Sequence, residues 1–408
     1  MNIILIIGIL VVVAFFGGLL AKKLKLPLVT GYIIIGILLS LTHLIPRELI
    51  TGTSDNPGLS IITDITLAIV AYLVGGSLNL KDLRKVGKDI AWITPFEAAG
   101  AWILVTLPLT FLCRFIIPGI SNATLLNTYF PMALVLGAIS CATAPAASVA
   151  IMHEYKAKGP LTTTLLAIIV LDDAIAVIAF AIAMGIAKPL TLGSNISLCQ
   201  MLGTPVLYII KSIGLGVIFG MGLVYMSRLA KRRGLSLVVV LGIILLCTGL
   251  ANFLNVSSIL ANIVVGFVVT NMVKRKEIFN VIEGIEDILF VIFFTLAGMH
   301  FDFRVIKIAG TLALLITIFR CLGKLIGTRI GATIAHSPPK IKSYLGFGLF
   351  PTAGVAVGLV LLAGRSLTVI GNIMVNAILA SVIINEIIAP PLTKYALFKS
   401  GEAKSHKV

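Results

Sequence analysis

Charge is what this sequence has least of. Only 12% of its 408 residues are Asp, Glu, Lys or Arg, against 59% hydrophobic, where a soluble domain carries about 25% charge to face water. With 16 acids and 32 bases, the chain cannot clothe a water-facing surface of this size. Cysteine is scarce too. Cys113, Cys141, Cys199, Cys247 and Cys321 are odd in number, lie in or beside apolar runs, and show no CxxC or Cys/His metal spacing. They read as small apolar fillers. A basic leader is missing: an apolar run starts almost at once, and the first bases, Lys22, Lys23 and Lys25, follow it. That pattern argues against a cleaved signal peptide and for a first membrane helix. There is no ATPase motif and no hydrophilic stretch longer than a loop. No nucleotide-binding, regulatory or enzymatic domain is expected, and no cofactor.

Long apolar runs are what the chain has instead. A helix needs roughly 20 apolar residues to cross about 30 Å of hydrocarbon. On that ruler thirteen runs qualify, near 3–21, 29–45, 59–78, 92–113, 130–152, 160–187, 200–227, 235–253, 256–272, 284–300, 305–335, 342–364 and 372–393. The expectation is an all-α polytopic membrane protein with thirteen transmembrane helices. Its net charge of +16 would suit nucleic acid, but the bases sit in short clusters between the runs. Lys81, Arg84, Lys85 and Lys88 form one such cluster, Arg228, Lys231, Arg232 and Arg233 a second, and Lys274, Arg275 and Lys276 a third. The alternate gaps hold only Arg47, Arg114, Lys188, Arg304, Lys307 and Arg365. This is the bias that places basic loops in the cytoplasm. It predicts an outside N-terminus, a cytoplasmic C-terminus, a lipid bilayer as partner and no nucleic acid. The sequons at Asn122, Asn195 and Asn255 fall on the outer side.

Ionisable groups inside the runs are expensive and therefore candidates for function. They are Lys211, Arg320, Lys324, Arg329, Asp64, Glu97, Asp172, Asp173 and Glu386. Asp64 and Arg329 lie within snorkelling reach of an interface, and Lys211 suits a packing or lipid contact as well as a transport role. The richest stretch is Ser140-Cys-Ala-Thr-Ala-Pro-Ala-Ala-Ser148, followed on the next run by Asp172-Asp173. Pro145 removes a donor and disfavours helix at Ala144. Such a break survives in lipid only where protein or a cavity covers it. Phe350-Pro-Thr-Ala-Gly-Val-Ala-Val-Gly358 repeats the theme with Pro351 and Gly354. These are the fifth and twelfth runs, which cross in opposite directions. Paired, inverted, interrupted spans point to a transporter's midplane site. The same offset matches runs 4–6 with runs 11–13. It sets the acidic pair against Arg320 and Lys324, which are four apart on one helix face.

Neighbouring aspartates on a helix project about 100° apart, so one can face a cavity while the other meets a base. In a poorly hydrated cavity a carboxylate holds its proton more tightly than in water. A proton and a small hard cation then compete for the same oxygens. Hydroxyls beside the break, Thr143 and Ser148, are hard ligands of the right kind. If only occupied sites cross, exchange follows. A buried acid–base pair that merely fixes helix packing is the alternative, but two acids with two bases exceed what packing requires.

Several of these residues carry a resemblance. The chain resembles the monovalent cation/proton antiporter superfamily, in the branch of bacterial sodium/proton antiporters and Kef-type potassium efflux proteins, across essentially the whole membrane portion. Leu26-Pro27-Leu28-Val29-Thr30-Gly31-Tyr32 is similar to its Pro-x-x-x-Gly-Tyr stretch, and Phe293-Phe294 through Gly298-Met299 to its Phe-Phe-x-x-x-Gly-Met stretch. Cys141–Ser148 and Gly346–Gly358 look like its two crossing discontinuous helices, and Asp172-Asp173 matches its Asp-Asp motif. The resemblance implies Asp173 as the principal carrier of sodium and proton, and Lys324 as the position that pairs with Asp172. It implies a dimerisation domain of residues 1–91 and 235–304, a core of 92–187 and 305–393, a linker helix in 188–234, a cytoplasmic tail from 394 to 408, and a homodimer. Two departures stand out: Gly75-Gly76-Ser77-Leu78 replaces a Gly-Leu-Glu pattern, and the Kef-type nucleotide-binding domain is absent.

The function expected is electrogenic exchange of sodium or lithium for protons in a bacterial inner membrane, not an enzyme activity. Arg320 is expected to support a broken helix end. A potassium/proton antiporter of the same fold is the near alternative, a cation channel one from another class, and a sodium-coupled symporter a third. The orientation is directly testable. Single cysteines at positions 85 and 232, in a cysteine-free background, should resist an impermeant reagent from outside while one near Asn122 reacts. External labelling at position 232 would invert the topology.

Overall fold

The computed structural model describes residues 3–23, 28–42, 59–80, 87–117, 123–191, 198–229, 233–254, 256–273, 277–352 and 354–403. Pro27, Lys85, Asn122, Asn195, Arg232 and Asn255, singled out above, lie outside them. In chain order the helices are α1 Ile3–Lys23, α2 Leu28–Leu41, α3 Ser60–Ser77, α4 Gly87–Ile116, α5 Phe130–Ile139, α6 Pro145–Glu154, α7 Pro160–Thr191 and α8 Leu198–Leu229. They continue as α9 Arg233–Phe253, α10 Ser258–Met272, α11 Glu277–Met299, α12 Ile306–Ile334, α13 Pro339–Tyr344, α14 Gly354–Ser366 and α15 Thr368–Lys399. Among the described residues there is no strand. A π-helical turn, Leu125–Tyr129, leads into α5 and is closed by a reciprocal cap between Thr124 and Asn127. The last 3₁₀ turn, Leu345–Leu349, leads to α14.

Seven described helices are long and apolar enough to cross a membrane. Pro339–Leu349 with Gly354–Ser366, bent by 51°, makes an eighth if read as one broken span. The other apolar helices, α2, α3, α10, the turn running into α5 and the end of α11, fall in the 10–17 residue range. At about 1.5 Å per residue these are shorter than the hydrocarbon thickness. The count of thirteen crossings is therefore not given by length and apolarity alone. Large apolar side chains such as Phe15, Phe111 and Phe115 are exposed, as a helix surface facing lipid requires. The protein is a multi-pass membrane protein.

The chain forms two compact units. The first comprises Met1–Leu83 and Gly203–Phe301. Its interior is apolar around Tyr72, Leu223, Ile244 and Val265, with Tyr72 stacked on Phe279 at 5.0 Å. In this unit α2 and α11 meet at glycine: a methyl on Gly36 would lie 3.0 Å from Gly298 Cα. Gly298 belongs to the Phe293–Met299 stretch, whose two phenylalanines are buried edge to face. Bare backbone is what lets apolar helices approach so closely where lipid offers no hydrophobic drive.

The second unit comprises Arg84–Leu202 and Asp302–Val408. Here α4 packs against α12 along Gly100, Gly323, Gly327 and Gly331. Spacing of four puts the α12 glycines on one face. The polar residues Thr317, Arg320, Lys324 and Thr328 of α12 are all buried. The described residues after 393 are ordered against the rest of this unit. Helix α15 runs to Lys399, and Glu402 then caps the start of α7, accepting from Leu161 N, Thr162 N and Thr162 Oγ1, each at 2.8 Å. A carboxylate satisfies the orphan N–H groups of a helix start and suits its dipole.

The glycine seam yields a stability test. A methyl on Gly323 would sit 2.5 Å from the Gly100 carbonyl oxygen and 2.7 Å from Ala101 Cα. Gly323→Ala should lose about 1–3 kcal/mol by overpacking, read as a lowered unfolding temperature in detergent. Gly310→Ala on the same helix, where nothing lies within 4 Å of the added atom, should be neutral or slightly stabilising.

Candidate functional site

Two helix breaks define the centre of the second unit. Helix α5 ends at Ile139, and Pro145 is the first residue of α6. Proline suits a first turn, where its missing N–H would have no partner anyway. Residues 142–144 between them are not helical. In the other break, Phe350, Pro351 and Thr352 separate the 3₁₀ turn from α14, which begins at Gly354. The two breaks touch: Ala144 N donates to Pro351 O at 2.9 Å, and Ser148 Oγ donates to Gly348 O at 2.8 Å.

Each break leaves carbonyls without helical partners, and one side chain answers most of them. Arg320, 1% exposed, donates through Nε to Ser140 O at 2.9 Å and through Nη2 to Ala142 O at 2.7 Å. Its Nη1 reaches Phe350 O at 2.6 Å, and Nη2 also approaches Leu349 O and Pro351 O at 3.5 and 3.4 Å. The guanidinium fork, with five donors, thus ties both breaks together through main-chain oxygen. The Thr352 backbone N–H has an acceptor in the buried carboxylate of Glu386 on α15.

One turn along α12, Lys324 meets the carboxylates. It is fully buried, as are Glu97 of α4 and Asp172 of α7. The lysine ammonium donates to Glu97 Oε1, to Thr143 Oγ1 at 2.8 Å and to Cys141 O at 2.9 Å. Asp172 Oδ2 stands farther off, at 3.3 Å. The Thr143 hydroxyl donates to that same oxygen at 2.5 Å. Asp172 Oδ1 and Glu97 Oε2 have no hydrogen-bond partner among the described residues.

Asp173 points differently. The residue as a whole is partly buried, and its carboxylate makes no hydrogen bond or ion pair among the described residues. So the structure gathers Asp172, Thr143, Lys324 and Arg320 around the breaks marked by Pro145, Pro351 and Gly354. Asp173 stands beside that cluster with its oxygens unengaged. Ser148 lies in the same region, but its hydroxyl hydrogen is committed to Gly348 O. Lys211 and Arg329 have exposed side chains.

Glu97, like Glu386, is a residue that sequence reasoning left without a role. An acid inside an apolar run was visible, but nothing local ties it to Lys324, 227 positions away. The main-chain oxygen of Cys141 was invisible for a different reason, because a carbonyl has no signature in residue type.

The fold and site define a polytopic helical membrane protein built around two touching discontinuous helices and a buried acid–base cluster. The family profile described as sodium/hydrogen exchanger, transmembrane, matches residues 11–399, and the chain belongs to that family. Among curated relatives, the Na(+)/H(+)-K(+) antiporter GerN of Bacillus cereus is 24% identical over 396 residues, covering 95% of this chain and 94% of GerN. A Na(+)/H(+) antiporter of Enterococcus hirae is 22% identical, covering 96% of this chain and 97% of its own. The solved sodium proton antiporter MjNhaP1 of Methanocaldococcus jannaschii shares the fold with a TM-score of 0.76 at 16% identity, over 97% of this chain and 98% of that one.

The Arg320 contacts carry a prediction. Arg320→Gln strands several buried carbonyls, each at about 1–3 kcal/mol, and should sharply reduce the yield of folded protein. Arg320→Lys should recover only part of it, since an ammonium lacks the planar fork. Size-exclusion profiles and unfolding temperatures of the two variants make the comparison.

Proposed function

We propose that this protein exchanges sodium or lithium for protons by alternating access, with the Asp173 carboxylate shared competitively between cation and proton. The observation that carries the reading is a carboxylate with unengaged oxygens on the residue next to Asp172, whose own carboxylate accepts from the Thr143 hydroxyl inside one of the two breaks. A small hard cation needs oxygen ligands, and a proton needs the same carboxylate. Asp172 is the preceding residue on α7, the Thr143 hydroxyl is hydrogen-bonded to it at 2.5 Å, and both add hard oxygens. Ser148, already donating to a carbonyl, retains lone pairs that a cation can use.

On this reading the second unit acts as the moving core and the first as the dimerisation scaffold of a homodimer. Exchange is electrogenic, more protons moving than cations, because the buried Asp172–Lys324 group takes part besides Asp173. The protein sits in a bacterial inner membrane with its N-terminus outside and its C-terminus in the cytoplasm. The similarity to antiporters over nearly their whole length supports transport rather than enzyme chemistry. Potassium as the exchanged cation is a second reading with one specific ground: GerN is named as a Na(+)/H(+)-K(+) antiporter.

Asp173→Asn is the decisive variant, because an amide of the same shape cannot take up and release the proton. It should leave the protein folded while abolishing both sodium-driven proton movement in proteoliposomes and stabilisation by sodium on heating. Parallel runs with Li⁺ and K⁺ at clamped potential sort the cations. Coupled exchange at the wild-type rate in Asp173→Asn would remove the mechanism, and uncoupled cation current without proton movement would indicate a channel.

A further inference from the structure

Lys324 is surrounded by more acceptors than it can serve. An ammonium has three protons, and four oxygens face it: Glu97 Oε1, Thr143 Oγ1, Cys141 O and, at the longer 3.3 Å, Asp172 Oδ2. The three nearer ones use the three protons. Asp172 is reached chiefly through Thr143, whose hydroxyl accepts from the lysine and donates to Asp172 Oδ2 at 2.5 Å. Asp172 Oδ1 keeps no partner among the described residues. The buried positive charge is thus balanced first by α4 and only second by α7.

We propose that Glu97 is a positioning residue for transport: by supplying the standing counter-charge of Lys324, it holds the ammonium off Asp172 and leaves that carboxylate available to the cation. The proposal rests on the antiport reading above and names a residue on a third element that tunes the site. Buried charge must be paired. With Glu97 neutralised, the lysine has one carboxylate left within reach, Asp172, and closes on it. The cation then competes with an ammonium already in place. Glu97 touches no part of the cation in this scheme; it acts chiefly through Lys324, and its own charge also stands beside Asp172. Its position is well defined, because α4 and α12 meet backbone to backbone beside it: a methyl on Gly327 would lie 2.9 Å from Glu97 Cα.

The test measures half-saturating sodium in two ways, by initial rates of proton movement in proteoliposomes and by sodium-dependent shift of the unfolding temperature. Glu97→Gln should raise half-saturation in both by about ten- to a hundredfold, the range set by a charge-assisted hydrogen bond, with a smaller change in maximal rate. Glu97→Asp, keeping the charge, should lie nearer the wild type. In a Lys324→Gln background, Glu97→Gln should raise half-saturation by much less than tenfold, since the larger part of its effect runs through the lysine. Unchanged half-saturation in Glu97→Gln overturns the assignment, as does an equal rise in the Lys324→Gln background. If Glu97→Gln alone does not accumulate as folded protein, the double variant, which removes both opposing charges, is compared with Lys324→Gln. A difference much smaller than tenfold supports the proposal and a tenfold or larger one overturns it. A wild type without coupled exchange refutes the antiport reading itself, whereas exchange by the wild type with Glu97→Gln unchanged refutes only the role of Glu97.

Discussion

Everything at the centre of this protein depends on main-chain polar groups freed from a helix where water is scarce. An unpaired carbonyl or N–H in such a place costs several kcal/mol, so a break is possible only where side chains stand in for the missing helical partners. Arg320 does so for both breaks at once, by donating to Ser140, Ala142 and Phe350 oxygens. The breaks further satisfy each other, through Ala144 and Pro351, and Glu386 accepts from the Thr352 backbone. Once this scaffold of main-chain hydrogen bonds exists, a non-helical strip of oxygen atoms can lie beside Asp172 and Asp173. The chemistry of the site follows from the way the breaks are sealed.

The two bases on α12 divide the labour accordingly. Arg320 speaks to the backbone and Lys324 to carboxylates, although they are one turn apart on the same face. The difference follows from shape: a planar fork with fixed donors suits several carbonyls arranged around it, while a compact ammonium suits a cluster of oxygens converging on a point. Helix α12 can bring both into the interior because its glycines bring α4 into backbone contact. Small residues on one face thus make room for large charged ones on the next.

Much of this was legible in the chain. Pro145 and Pro351 announce the breaks because proline acts locally, through its own φ and its missing donor. The four-residue spacing of Arg320 and Lys324 announces a shared face, and the adjacent aspartates announce that one must look away from the other. Contacts set by tertiary packing were not legible. Glu97 reaches Lys324 across 227 positions, and Ser148 spends its hydrogen on a carbonyl 200 residues away. Nor does composition reveal that Glu402 reaches back to α7, since it looks like one more polar residue in a basic tail. The number of crossings is likewise not fixed by a ruler of apolar length, because several described helices are shorter than the runs containing them.

The cap made by Glu402 turns a linear chain into a closed loop. Helix α7 carries the aspartate pair and α15 carries Glu386, and they are joined at one end of the unit by three hydrogen bonds to a single carboxylate. Gly159, where a side chain would collide with that carboxylate, keeps the clasp tight. The first turn of the helix that carries the aspartates is thereby held by a side chain three residues past the end of α15.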